Sequence, residues 1–85
     1  MKINLEVEFA NGSKVEATCT APEIVKFEDK FDISISNAAR DLRVSHLLFL
    51  AYSWCKRTKQ TELSFDEWTE TVQNITTVDV PKSKG

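Results

Sequence analysis

The sequence predicts an α+β fold in which an N-terminal β-hairpin packs on a mainly helical, three-helix domain with a long central helix. Apolar and polar residues alternate through the first 19 positions, whereas apolar positions recur at helical spacing from residue 22 to residue 75. The chain has 85 residues, which is short enough for one small core. We expect residues 1–80 to form a single domain and residues 81–85 a flexible tail.

The first predicted element is a β-hairpin over residues 2–20, with Asn11 and Gly12 at its turn. A two-residue turn would place the apolar rows of the two strands on opposite faces. A three-residue loop that adds Ala10 and holds Gly12 in the left-handed conformation places both rows on one face. The apolar pairs expected in this register are Val7 with Val15, Leu5 with Ala17, and Ile3 with Cys19. Helices must cover this face, because a lone hairpin is marginally stable.

The three predicted helices cover about residues 22–31, 37–59 and 65–74. Pro22 suits the first turn of the first helix, and residues 34–37 supply a cap for the second. Ser64 and Glu67 have the spacing of a capping box at the start of the third helix. The residues that follow Ile75 are compatible with one short further strand.

The middle helix is apolar on nearly its whole circumference between residues 47 and 55. Its three apolar stripes are Ala38, Leu42 and Phe49; Leu47, Leu50 and Trp54; and Val44, Leu48, Ala51 and Cys55. A small core leaves part of such a helix uncovered, which predicts a protein partner, and the pattern leaves open which stripe faces inward. The residues expected to bind protein are Arg43, Leu47, Leu48, Leu50, Ala51 and Trp54.

Composition and spacing argue against catalysis and against metal or cofactor binding. His46 is the single histidine and has no acid or nucleophile patterned around it, so we expect a structural role. Asp66 and Glu67 lie in the first turn of a predicted helix, where the helix dipole favours acidic residues. Cys19 and Cys55 are expected to be small buried side chains rather than metal ligands or a disulfide. We expect a soluble intracellular protein, because no apolar run reaches the roughly 20 residues of a membrane span.

Residues 35–54 offer an alternative function, because they resemble the helix-and-turn part of a helix-turn-helix domain. A small DNA-binding transcriptional regulator is therefore the second hypothesis. A recognition helix presents polar side chains to base edges, whereas residues 47–51 are all apolar. The net charge of −2 also gives no electrostatic reason to expect nucleic-acid or anionic-lipid binding.

Three segments, taken in order, resemble small tail assembly chaperones of long-tailed bacteriophages and prophages. The segments are Phe27-Glu-Asp-Lys-Phe31, Arg43-Val-Ser-His-Leu47-Leu-Phe-Leu-Ala51-Tyr-Ser-Trp54 and Phe65-Asp-Glu-Trp68-Thr-Glu-Thr-Val72. The resemblance covers about residues 25–75. It implies a non-enzymatic chaperone of the host cytoplasm that binds the tape measure protein and helps recruit tail tube subunits. It also implies a longer form made by ribosomal frameshifting near the C-terminus.

The apolar stripes of the middle helix suggest how such a chaperone would act. A tape measure protein is largely a long helix, and an exposed apolar stripe is suited to sheathing a helix in a groove. The same stripes, or an edge of the hairpin, are also suited to closing a homo-oligomer.

Overall fold

The computed structural model describes residues 2–38 and 42–78. The elements found there are β1 (Ile3–Phe9), β2 (Lys14–Cys19), α1 (Ala21–Phe31), α2 (Ile35–Ala38), α3 (Val44–Arg57), α4 (Phe65–Glu70) and β3 (Val72–Thr77). The strands form one antiparallel sheet in the order β2-β1-β3. The chain is therefore α+β, as predicted, but its sheet has a third strand in addition to the hairpin.

The hairpin forms in the predicted register, with Val7 opposite Val15, Leu5 opposite Ala17, and Ile3 opposite Cys19. Its three-residue loop is also confirmed. The N–H of Phe9 donates to the carbonyl of Ser13 at 2.8 Å, and the N–H of Gly12 donates to the carbonyl of Phe9 at 2.9 Å. Gly12 has φ of 92°, the left-handed conformation that glycine adopts without a steric cost.

The long helix begins at Val44, so the predicted start at residue 37 is wrong. Arg43 is extended, with φ of −92° and ψ of 162°, and its N–H donates to Nδ1 of His46 at 3.2 Å. This arrangement makes Arg43 the cap of α3 and separates it from the short helix α2, which Ser34 caps through a bond from the N–H of Asn37. Residues 39–41 lie outside the described residues. The predicted stripe of Ala38, Leu42 and Phe49 assumed one continuous helix, whereas the chain is extended at Arg43.

The last helix ends at Glu70, so the predicted helix over residues 65–74 is too long. Val72 and Ile75 lie instead in β3, opposite Phe9 and Val7 of β1. Their spacing fits a helix, but β-branched residues also fit a strand, and the edge of β1 offers backbone partners that local spacing does not reveal. The expected strand therefore begins earlier than predicted, and the expected tail at residues 81–85 lies outside the described residues.

The core lies between the sheet and the helices, with α3 at its centre. Its buried apolar residues are Leu5, Val7, Ala17, Cys19, Ile24, Phe27, Ile35, Ala38, Leu47, Leu50, Ala51, Cys55 and Trp68. The predicted burial of both cysteines is thus confirmed. Within the described ranges, no helix combines the length and the apolar character needed to cross a membrane.

Candidate protein-binding surface

The structure divides the six residues predicted to bind protein into buried and accessible ones. Leu47, Leu50 and Ala51 belong to the core, with exposed fractions of 9%, 0% and 0%. Arg43 is exposed, and Leu48 and Trp54 are half-buried at the margin of the core. Leu47, Leu50 and Ala51 therefore cannot contact a partner while the domain is folded, which corrects their assignment to a binding surface.

The folded domain covers more of α3 than its sequence indicated. Cys19 of β2 lies against one side, where its thiol donates to the carbonyl of Leu50 at 3.3 Å. Phe27 of α1 and Trp68 of α4 are buried in the same core. The stripe that contains Ala51 and Cys55 is also buried in the C-terminal half of the helix. The expectation of uncovered apolar sides holds only for the N-terminal half.

An apolar groove remains open beside the N-terminal half of α3. Val44 is 61% exposed, and Leu48, one turn further along the helix, is half-buried. The groove has a volume of about 190 Å³, and its lining residues are Val44, Leu48, Thr69, Val72, Gln73, Asn74 and Ile75. The sequence did not predict this groove, because Val72 falls within the predicted helix over residues 65–74 and not, as observed, in a strand.

A chain of aromatic rings runs along another side of α3 and ties it to α1, α4 and β1. Neighbouring ring centroids lie between 4.8 Å and 6.2 Å apart. The rings involved are Phe9, Phe27, Phe31, His46, Phe49, Tyr52, Phe65 and Trp68. Most of these contacts are edge-to-face, a favoured arrangement for aromatic pairs. Most aromatic positions that carry the phage resemblance therefore stabilise the fold.

His46 lies at the start of α3, in contact with α1. Its Nδ1 accepts the Arg43 N–H at the start of α3, and its ring packs against Phe27 and Phe31 at centroid distances of 5.2 Å and 4.8 Å. In the described part of the chain, no group of three or more histidine, cysteine, aspartate or glutamate side chains is placed to hold a metal ion.

An ion pair between a buried carboxylate and a partly exposed guanidinium links the start of α1 to the end of α3. The carboxylate of Glu23 is 1% exposed and accepts hydrogen bonds from Nε and Nη2 of Arg57. It also accepts the N–H of Thr20 at 2.9 Å, which is one of the two bonds of a capping box at the start of α1. Burial raises the pKa of Glu23, but the bonds from Arg57 and Thr20 outweigh burial and hold that pKa below its usual range. The Thr20-Ala-Pro-Glu23 spacing signals the cap, but nothing in the sequence pairs Glu23 with Arg57.

The thiols of Cys19 and Cys55 are both buried in the core. Burial raises the pKa of Cys19 to about 12, with a further contribution from Glu23, and raises the pKa of Cys55 to about 11. Both are free cysteines. Because the thiolate is the nucleophile, thiols protonated at neutral pH are poor candidates for catalysis.

In the segment that resembles a helix-turn-helix, the exposed polar residues that the structure describes are Ser36, Asn37, Arg43 and Ser45. The first exposed positions of α3 are Val44 and Ser45, and Leu47 and Leu50 are core residues. At the other end of the helix, Arg57 is engaged by Glu23. Comparison with protein-family models, curated proteins and solved structures finds no match for this chain.

Proposed function

We propose that this protein is a tail assembly chaperone of a long-tailed phage, which acts in the host cytoplasm without catalysis. It binds the tape measure protein and helps recruit tail tube subunits. The observation that supports this proposal best is the open apolar groove between α3 and β3. The order of the three segments that resemble such chaperones supplies the identity of the client.

The groove suits one apolar stripe of a helical client. Val44 and Leu48 line it from α3, and Val72 and Ile75 line it from β3, so a helix with apolar residues at i, i+3 and i+4 matches its chemistry. Arg43 is exposed at the adjoining end of α3 and is available to an acidic residue beside the client's stripe. Trp54 lies about 15 Å further along α3 than Val44 and is outside the groove lining.

The small size of the groove favours weak and reversible binding. Covering the accessible parts of four aliphatic side chains contributes on the order of 4 kcal/mol before the costs of association. A long helical client offers many successive stripes, so several copies are able to bind along one molecule and reinforce one another through multivalency. Reversible binding is what a chaperone requires, because the tube subunits must later replace it.

The direct test is to look for a long helical reading frame beside the gene, to copurify its product with this chain, and then to titrate the chain with a helical segment of that product. Val44→Glu places a charge in the groove and is expected to weaken binding by about ten-fold. Val25→Glu is the matched control, because Val25 lies on α1 outside the groove lining and is 63% exposed, close to the 61% of Val44. Both variants should keep the wild-type melting temperature.

Two results would contradict the proposal. One is equal client affinity for the Val44→Glu and Val25→Glu variants, and the other is no binding of the tape measure protein by the wild-type chain. Salt-dependent binding of duplex DNA at micromolar protein, without client binding, would favour the transcriptional regulator instead.

A further inference from the structure

Among the described residues, β3 forms an edge of the sheet whose outward backbone groups have no strand partner. The N–H of Val78 donates to the carbonyl of Asn4 in β1 at 2.9 Å. Thr76 is two residues away, so its backbone groups point toward β1 as well. Because backbone groups alternate in direction along an antiparallel strand, those of Ile75 and Thr77 point away from β1. In the part of the chain that the structure describes, no strand lies against this edge. It is therefore open to another strand.

The two edges of the sheet differ in charge. β2 carries Lys14 and Glu16, and charged side chains are a common protection of an edge against strand addition. The sequence of β3, Val-Gln-Asn-Ile-Thr-Thr, carries no charge. When a strand pairs with its own copy about a two-fold axis, the residue on the axis lies opposite the same residue of the second copy. An uncharged strand meets no repulsion there.

We propose that β3 pairs antiparallel with β3 of a second copy of this chain, with Ile75 opposite Ile75 at the two-fold axis. In this register the outward N–H and carbonyl of Ile75 bond to the same groups of the second copy. Ile75 lies opposite Val7, which lies opposite Val15, so pairing continues this apolar row across the axis. On the outer face, Asn74 lies opposite Thr76 of the second copy, and both side chains are polar and uncharged.

Asn74 keeps this edge partly satisfied in the isolated chain. Its Oδ1 accepts the N–H of Ile75 at 2.9 Å, so pairing must exchange this bond for one to the second copy. Because this bond must be given up, the wild-type dimer is weaker than the dimer of a chain in which the Ile75 N–H is free. Replacing Asn74 with alanine is therefore expected to tighten the dimer by about five-fold, equivalent to about 1 kcal/mol.

Sedimentation equilibrium of the full chain from about 1 µM to about 1 mM, a range that covers weak association, tests the proposal. We expect the wild-type chain to dimerise, Asn74→Ala to dimerise more tightly and Thr77→Pro to remain monomeric. The Thr77 N–H points outward, so proline there removes a donor from the edge and leaves the bonds to β1 intact. Glu16→Pro is the matched control on the other edge, and this variant should dimerise as the wild type does. The bond between Phe9 and Ser13 shows that Ser13 directs its backbone groups toward β1, so those of Glu16, three residues later, point outward.

Amide hydrogen exchange gives a second measurement on the unmodified chain. The Thr77 amide should become protected as the protein concentration rises, whereas the outward Glu16 amide should not. Where circular dichroism shows that Thr77→Pro is unfolded, Thr77→Lys takes its place, because a charge at this edge also opposes pairing.

A chain that stays monomeric over the whole range overturns the proposal. A dimer that Thr77→Pro or Thr77→Lys leaves unchanged also overturns it, as does Thr77 exchange that is independent of concentration. These failures would leave the proposed chaperone function standing, because that function is tested by Val44→Glu and by client binding. An uncharged extended peptide that binds β3 of a monomeric chain would show that the edge serves a different occupant.

Discussion

The Glu23–Arg57 ion pair predicts a specific dependence of stability on pH. Glu23 is 1% exposed, and its pKa lies below the ordinary value of 4.5, because the bonds from Arg57 and Thr20 outweigh the effect of burial. A carboxyl whose pKa is lower in the folded state than in the unfolded state stabilises the fold at pH values above its unfolded-state pKa. This contribution is lost as the pH falls through the folded-state pKa. The informative perturbation is Glu23→Gln, which removes the charge and keeps the shape.

The size of the effect follows from the bonds that the substitution removes. Glutamine retains an oxygen for the Thr20 N–H, which the carboxylate accepts at 2.9 Å, but it loses the charged pairing with Arg57. Hydrogen bonds to charged groups contribute about 1.5–3 kcal/mol. Because the Arg57 side chain is 40% exposed, water screens the pair and lowers this figure. We expect Glu23→Gln to lose about 1–2 kcal/mol of unfolding free energy near pH 7, with a melting temperature lower by about 4–8 °C per kcal/mol.

Urea unfolding of both proteins, followed by circular dichroism near pH 7 and near pH 3, measures this difference. The gap between wild type and variant should be full near pH 7 and should shrink below about pH 4.5, because the protonated carboxyl resembles the amide. Glu16→Gln, on the exposed sheet surface, is the control and should show no such change. A gap of equal size at both pH values, or no gap near pH 7, would refute the role assigned to this pair.

Three further predictions concern the core, the hairpin loop and the thiols. Trp68→Ala should lose about 3–5 kcal/mol in chemical denaturation, because Trp68 is 2% exposed and contacts two other rings. Gly12→Ala should lose about 1 kcal/mol although nothing lies within 4 Å of the added Cβ, because φ of 92° opposes a side chain. Cys19 and Cys55 should resist a thiol reagent in the native chain and react in denaturant, because burial raises the pKa of both thiols.

Each of these predictions has a matched comparison. Trp54→Ala, at a half-buried tryptophan, should cost less than Trp68→Ala, and equal losses would contradict the central position of Trp68. Gly12→Asn should cost less than Gly12→Ala, since asparagine tolerates the left-handed conformation. Rapid labelling of both native thiols, at the rate seen in denaturant, would show that the core around them is open.

Local patterns in the sequence predicted the elements whose geometry is set by neighbouring residues. The parity of the hairpin fixed the pairing of Val7 with Val15, and the structure has this register. The spacing of Ser64 and Glu67 predicted a capping box, and the Glu67 N–H donates to Oγ of Ser64 at 3.2 Å. These interactions join residues close in the chain or fixed by one turn, so periodicity and turn chemistry were sufficient.

The errors arose where distant parts of the chain decide the outcome. Val72 and Ile75 fit the helical spacing of Phe65 and Trp68, but pairing with β1, more than 60 residues away in sequence, makes them a strand. The buried residues Cys19, Phe27 and Trp68 cover α3 from three other elements, and the partly buried Val72 and Ile75 of β3 pack at the margin of this core. The ion pair between Glu23 and Arg57 spans 34 positions and leaves no local pattern. The surface left open therefore depends on tertiary pairing and not on the periodicity of α3.

The groove and the free edge of β3 share Gln73, Asn74 and Ile75, which connects the two proposals. A client helix that fills the groove and reaches over the outer edge of β3 would exclude a second copy paired on that strand. Because the two binding equilibria are linked, client binding must then weaken the dimer, and dimerisation must weaken client binding by the same factor. Adding the client helix should convert wild-type dimers into monomeric complexes, which sedimentation would detect. The Thr77→Pro variant, expected to be monomeric, should bind the client with an affinity that does not depend on protein concentration. If the wild-type dimer binds the client without dissociating, the two surfaces act independently.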